Sequence, residues 1–409
     1  MKSAAWIREP KMRKLLGSAG MSWLFDAMDV GLVSFVLAAL TVEWKLGTQQ
    51  GGLLTAFNSI GMAVGAAVSG ALADRYGRRA ILLWTLLIFS IANGLSALAT
   101  GFVMLCALRF VVGFGLGGEL PVASTLVSES VPASDRGRAV VLLESFWAGG
   151  WLVAALISYF VIPTYGWRVA LLIGALPALY AIYLRRSIED SPRFAARKAK
   201  LSFRKRFASI WSGRHAAQTV TLCVLWFTVV FSYYGMFLWL PTVMVKMGFD
   251  LVRSFEYVLI MTLAQLPGYF TAAYLIEKLG RKSVLTGYLL LTAASAAWFG
   301  NAGSEGSLLA AGICLSFFNL GAWGAMYAYT PELYPTDVRA TGVGMAASFG
   351  RIGGVIGPYL VGLLIDRGVA FGTIFMIFFA AIVVGALTVL FFGRETKETD
   401  PDAVPAGAR

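Results

Sequence analysis

The sequence predicts an all-α membrane protein, with twelve transmembrane helices arranged as two pseudo-symmetric six-helix bundles. Three observations lead there. Hydrophobic residues fill 58% of the 409 positions and charged residues 14%, against about 25% charged in soluble domains; mean hydropathy is +0.73. Apolar stretches of about 20 residues, long enough to cross roughly 30 Å of hydrocarbon as a helix, recur along the whole chain. Finally, Asp74-Arg75-Tyr76-Gly77-Arg78-Arg79 returns as Glu277-Lys278-Leu279-Gly280-Arg281-Lys282. The same offset of 203 residues carries Trp23 onto Trp226, Glu129 onto Glu332, Pro132 onto Pro335 and Arg136 onto Arg339. A repeat of half the chain marks an internal duplication, the construction of membrane carriers that bind their ligand between the copies.

The spans fall at 17–40, 51–73, 80–99, 103–128, 139–161 and 168–186, then at 217–241, 255–277, 283–301, 308–330, 341–365 and 370–393. The organisation is therefore a first bundle over 1–186, a basic connection over 187–216, a second bundle over 217–393 and a tail over 394–409. With both termini cytoplasmic, inside loops and tails hold 27 of the 34 Lys and Arg, and outside loops hold five: Lys45, Arg168, Lys246, Arg253 and Arg367. That is the positive-inside distribution. The net charge of +12 thus encodes orientation in a plasma (inner) membrane, not affinity for nucleic acid. Arg197-Lys198 and Arg204-Lys205-Arg206 in the long connection are expected to rest on anionic headgroups.

Other classes are excluded in turn. Cys106, Cys223 and Cys314 are dispersed within spans, and His215 is the only histidine, so neither a disulfide framework nor a His/Cys metal site is expected. The basic start leads into a full-length span with no cleavable signal pattern. Gly113-Phe114-Gly115-Leu116-Gly117-Gly118 satisfies G-x-G-x-x-G, but a dinucleotide site needs a strand before it and a βαβ unit around it. Inside an apolar span, Gly113 and Gly117 read instead as a small-residue seam for close helix contact, as do Gly61/Gly65 and Gly350/Gly354. No set of residues makes a catalytic constellation, so the chain is read as a non-enzyme that needs no cofactor and acts as a monomer.

The repeated charged turn reads as a latch at helix ends. Asp74, Arg75, Gly77, Arg78, Glu129 and Arg136 form it in the first half; Glu277, Gly280, Arg281, Glu332 and Arg339 form it in the second. Six ionisable residues lie within spans: Asp26 and Asp29 in the first, Arg109 and Glu119 in the fourth, Glu144 in the fifth, Arg351 in the eleventh. Each costs at least about 2.5–3.5 kcal/mol at a helix centre, so each should face a cavity or a partner. Asp26 and Asp29, three apart, share a helical face. Arg109 is the natural counter-charge for a helix-1 aspartate, Asp26 above all, either for proton coupling or to hold two helices together. Arg351 is suited to grip a carboxylate through two parallel hydrogen bonds; the alternative is a salt bridge to Glu144 or Glu119. Glu119 is placed at the binding site, and Glu144 is read as structural. Phe146, Trp147, Tyr233, Trp323 and Tyr327 are aromatics that either stack on a flat ring or face lipid. Asn58, Gln265 and Asn319 either hydrogen-bond a substrate or cross-link helices.

Several of these motifs carry a resemblance. Gly70-x-Leu72-Ala73-Asp74-Arg75-x-Gly77-Arg78-Arg79 and Arg109-x-x-x-Gly113-x-Gly115-x-Gly117 are similar to signatures of the major facilitator superfamily. The run Pro331 to Gly342 (PELYPTDVRATG) resembles its organic-ion transporters, in which the position matching Arg351 tends to be arginine in anion carriers. Asp190-Ser191-Pro192-Arg193 is similar to the sugar-porter and organic-ion signature, while the fifth span lacks the Gly-Pro step of drug antiporters. Trp23 to Gly31 (WLFDAMDVG), Gly117 to Thr125 (GGELPVAST), Ser232 to Pro241 (SYYGMFLWLP) and Ser316 to Gly324 (SFFNLGAWG) resemble the bacterial niacin permease group, near the aromatic-acid:proton symporters. The resemblance spans about residues 15–393. It implies import of a small aromatic carboxylate, nicotinate above all, with a proton handled by Asp26, Asp29 and Arg109. Binding would fall to Arg351, Asn319, Trp323, Tyr327, Phe146, Trp147, Tyr233, Gln265 and Glu119. A carrier for another metabolite (a benzoate-like acid, a sugar, an organic cation) and a non-transporting sensor are the alternatives.

Overall fold

The structure is a computed structural model that describes residues 9–76, 78–130, 136–180, 183, 203–334 and 338–397. Among them all regular structure is helical. The first half contains α1 (Pro10–Glu43), α2 (Thr48–Tyr76), α3 (Arg78–Ser96), α4 (Phe102–Ser130), α5 (Arg136–Tyr165) and α6 (Trp167–Ile173). A short α7 (Phe203–Ile210) follows, then α8 (Gly213–Phe237), α9 (Leu240–Lys246), α10 (Leu251–Leu263), α11 (Gln265–Leu279), α12 (Arg281–Gly300), α13 (Glu305–Glu332), α14 (Arg339–Asp366) and α15 (Phe371–Phe392). Ten helical spans among the described residues are long and apolar enough to cross a membrane. The sixth expected span is described only as the shorter apolar helix Trp167–Tyr180; residues 184–202 of that span and the following connection lie outside the described residues.

Two expected spans are each built from two helices. The seventh breaks at Leu238–Trp239, just ahead of Pro241, and the eighth at Ala264, ahead of Pro267. Proline removes a backbone donor and clashes with the preceding turn, so each break falls where the ladder cannot continue. The indole Nε1 of Trp239 donates to the Pro358 carbonyl at 3.0 Å, fixing the first break against α14.

Within each half, helices pair as duplicated neighbours: α2 with α4 and α1 with α5 in the first, α8 with α14 and α11 with α13 in the second. The G-x-G-x-x-G run is a packing device. Gly61 and Gly65 of α2 face Gly113 and Gly117 of α4, and a Cβ on any of them would strike the backbone of Phe110, Phe114, Asn58 or Met62. Without a hydrophobic drive between helices in lipid, such backbone proximity supplies the van der Waals contact that holds the pair. On α14 the close positions are Gly353 and Gly357, against the Phe227 and Phe231 carbonyls, while Gly354 makes only an ordinary contact at 3.4 Å. Of the expected 350/354 pair, Gly350 does approach α8 closely, where a Cβ would lie 3.0 Å from Val230 and 3.3 Å from the Trp226 carbonyl, so the seam runs through Gly350, Gly353 and Gly357. Gly113→Val is expected to force α2 from α4 and cost at least about 1–3 kcal/mol, read as lost monodispersity and lower thermal stability in detergent. Gly287, with nothing within 4 Å, should accept alanine without loss.

The halves meet through α2 with α14, α5 with α10, and α1 with α9. Ser34 Oγ donates to the Phe237 carbonyl at 3.1 Å, and Thr48 Oγ1 donates to Asp366 at 3.3 Å. Phe35 packs edge-on to Phe255 with centroids 5.1 Å apart. These contacts close the molecule at the face bearing loops 44–47 and 367–370. Away from the seam, Trp84, Val103, Phe160, Leu179, Phe391 and Phe392 are exposed. Apolar exposure on that scale is what a surface bathed in lipid requires.

Candidate functional site

The six intramembrane charges separate into two groups. Arg109 of α4 is buried (2% exposed) and engaged: its Nη1 lies 3.5 Å from Asp29 of α1. Its Nη2 donates to Ser96 Oγ at 2.8 Å and also to Asn93 of α3. This is a closed joint of three helices. Arg109 therefore pairs with Asp29, not with Asp26 as expected from sequence. Residues three apart on a helix differ by about 60° in direction and one turn in height, enough to send two aspartates to different partners.

Asp26 instead faces Glu119 of α4, carboxyl to carboxyl, with Ser22 beside Glu119. Both residues are buried, and none of their four carboxylate oxygens accepts a protein hydrogen bond. Arg351 of α14 is the cation that acts on Asp26 and on Glu144 of α5. It has no carboxylate within salt-bridge distance among the described residues. Its Nη1 makes a long 3.4 Å bond to Tyr234 OH and lies 3.8 Å from Met62 Sδ of the first half. Arg351 is only partly buried. One arginine is consumed by structure; the other is available.

Beside Arg351 the halves contribute a packed aromatic cluster. Trp147 of α5 and Trp323 of α13 lie nearly parallel (17°) with centroids 6.3 Å apart. Trp147 Nε1 donates to Tyr233 OH at 2.8 Å, and Tyr233 packs on Trp323 at 4.8 Å. Tyr327 closes on Trp323 at 5.7 Å and on Trp226 at 4.8 Å. Glu144 sits next to Trp323. Trp323 Nε1 and the Glu144 carboxyl have only each other nearby for hydrogen bonding, while both polar atoms of Gln265, Asn319 Oδ1 and Tyr269 OH are buried without partners. Buried polar groups are nearly always satisfied, and clustered exceptions mark where a ligand, water or proton belongs. Phe146 lies over Gly20 of α1, a packing contact inside the first half. Tyr234, Asn93 and Ser96 were missed as partners of Arg351 and Arg109. Asn93 was visible as an amide within an apolar span and Tyr234 as one of the aromatics along the same helices; Ser96 carried no such signal.

The second-half latch forms. Arg281 bonds Glu332 at 3.1 Å and Glu277 at 3.1 Å, after Gly280 turns the chain at φ +93°. That left-handed conformation suits glycine. The Arg339 side chain lies outside the described residues, as do Gly77 and the side chains of Asp74, Arg75, Arg78, Glu129 and Arg136. Past α15, Glu395 straps this latch by accepting backbone N–H groups of Arg281 (2.8 Å), Lys282 (3.2 Å), Thr396 (2.9 Å) and Lys397 (3.0 Å). Partial burial opposes its charge, but these four donors hold its carboxyl below the ordinary 4.5. A depressed folded-state value adds stability above pH ~4.5 that is lost as pH falls through it. Glu395→Gln should therefore lower thermal stability slightly at neutral pH, by under about 1 kcal/mol for so exposed a group. The gap to the parent should close in acid, as detergent melting curves would show.

Comparison with known proteins places this arrangement. The model of the Major Facilitator Superfamily matches residues 20–267 and 257–408. The chain is 59% identical over 389 residues to "Putative niacin/nicotinamide transporter NiaP" of Bacillus subtilis, covering 95% of this chain and 97% of that protein. It is 45% identical over 416 residues to "Niacin transporter NiaP" of Acinetobacter baylyi, covering 94% of each. Among solved structures, the proton:xylose symporter XylE superposes with a TM-score of 0.79 at 18% identity, over 96% of this chain and 98% of that one; this likeness speaks to the fold. The duplicated helices, the charged latch and these matches together make the chain a multi-pass membrane transporter of the Major Facilitator Superfamily.

Proposed function

We propose that the protein imports nicotinate together with a proton across the plasma membrane, with both termini cytoplasmic. The observation that carries this reading is the available guanidinium of Arg351 beside the Trp147–Trp323 aromatic cluster. A cation beside aromatic faces suits a flat ring bearing a carboxylate; niacin stands in the names of both bacterial relatives, and the first of those names adds the uncharged nicotinamide.

Charge balance supports the proton. Beyond the neutral Asp29–Arg109 joint, three carboxyls (Asp26, Glu119, Glu144) share one cation, Arg351. Unbalanced charge is costly away from water. The empty site is near neutral when two of the three carboxyls hold protons and the third neutralises Arg351. A substrate carboxylate that takes Arg351 leaves that third carboxylate without its counter-charge, and one further proton restores balance. Asp26 and Glu119, face to face, are the seat for it. Inward movement of a monoanion alone would run against the membrane potential by about 2.3 kcal/mol per 100 mV; a proton moving with it removes that opposition.

The test is counterflow of radiolabelled nicotinate in proteoliposomes, with a panel of competitors and an imposed pH gradient. Nicotinate should exchange, an inward-directed proton gradient should drive accumulation, and neutral nicotinamide should compete weakly because it offers Arg351 no charge. Preferential exchange of benzoate, a sugar or a cation would assign a different substrate. Accumulation indifferent to the gradient would remove the proton.

A further inference from the structure

The closed face of the molecule carries a second, shallower site at the junction of the halves. An open cavity of about 440 Å³ is lined by Thr41, Lys45, Leu46, Gly47 and Thr48 from the first half and by Lys246, Ile365 and Asp366 from the second. The positive-inside distribution assigns this face to the outside, where basic residues are few. Of the five cations there, Arg168 is paired with Glu43 and Arg253 with Glu305. Lys45 and Lys246 have no carboxylate partner within salt-bridge distance among the described residues, yet both line this one cavity, one from each half. Asp366, the single acid in the lining, is a hydrogen-bond acceptor for Thr48 across the seam. The lining therefore keeps a net positive charge. Lys45 also has φ +51°, the only non-glycine residue at positive φ among the described residues. That left-handed turn is how α1 ends, one residue past its cap at Trp44, with the Leu46 N–H returning to the Leu40 carbonyl, and it fixes where Lys45 leaves the helix.

We propose that Lys45 and Lys246 form an external capture site for small organic monocarboxylates, which hold there before the Thr48–Asp366 seam opens toward Arg351. The route to Arg351 rests on the import reading above; the binding itself does not. Two like charges at the mouth of a cleft raise the local concentration of an anion, and the effect fades as salt screens it over a Debye length of about 8 Å at 0.15 M.

Two measurements on the full-length protein test the proposal. In the first, a membrane-impermeant amine reagent modifies Lys45 and Lys246, read by peptide mass spectrometry with nicotinate, benzoate, nicotinamide or chloride present. The two carboxylates should protect both lysines, and nicotinamide and chloride should not. In the second, Lys45→Gln/Lys246→Gln should raise the external half-saturation concentration for nicotinate about fivefold at low ionic strength, equivalent to roughly 1 kcal/mol. The difference should vanish in high salt. Equal modification with and without carboxylate overturns the site. Protection with an unchanged half-saturation concentration at low salt overturns its place on the route. If the parent protein exchanges no nicotinate while carboxylates still protect the lysines, the import reading fails and the capture site stands.

Discussion

Arg351→Ala is expected to lower nicotinate uptake about 100-fold or more while the protein still folds and inserts. Truncating one side of a desolvated, charge-paired contact costs about 2–5 kcal/mol, and each 1.4 kcal/mol is a factor of ten. The fold should survive because Arg351 holds no ion pair and contributes only a 3.4 Å bond to Tyr234 and a contact with Met62. Arg351→Lys keeps the charge but not the two-pronged geometry, so it should recover part of the loss. Initial rates in proteoliposomes, normalised to reconstituted protein, decide the matter. Near-normal uptake by well-folded Arg351→Ala would remove Arg351 as the anchor.

The second expected result separates two aspartates that lie only three residues apart. Asp29→Ala leaves the buried Arg109 guanidinium with Asn93 and Ser96 alone. Stranding a buried charge costs about 3–5 kcal/mol, so poor yield and a Tm lower by several degrees in detergent should follow. Asp26→Asn should behave otherwise. The amide can donate to Glu119, so the fold keeps its stability, while uptake loses its dependence on the proton gradient. Equal instability in both variants would merge Asp26 into the structural joint. An undiminished gradient response in Asp26→Asn would move the proton elsewhere, with Glu144 the next carboxyl to test.

The two results depend on information of different origin. That Asp26, Asp29, Arg109, Glu119, Glu144 and Arg351 matter was legible in the sequence, because ionisable groups within apolar spans are too costly to occur without a partner or a task. Their partners were not legible. Arg109 reached Asp29 by the crossing of α1 with α4, and the amide of Asn93 came from α3, which the spacing along α1 could not disclose. The aromatics divide in the same way. Trp147 and Trp323 were visible as candidates for stacking on a flat ring, but Phe146, one residue earlier than Trp147, turns toward Gly20. A step of about 100° around a helix separates an interface from a core contact.

The sequence by itself determined a duplicated helical membrane protein. In lipid every backbone polar group must be satisfied within its own helix, so apolar length and charge placement leave few alternatives. Glycine spacing further marked which faces of α2 and α4 approach one another. Only the tertiary structure decided which arginine is spent and which is free, and that the seam at Thr48 and Asp366 is closed beside two lysines without a carboxylate partner among the described residues. Those outcomes depend on distances of a few ångströms between residues far apart in the chain. Helix crossing angles and side-chain directions set such distances, and residue order alone does not carry them.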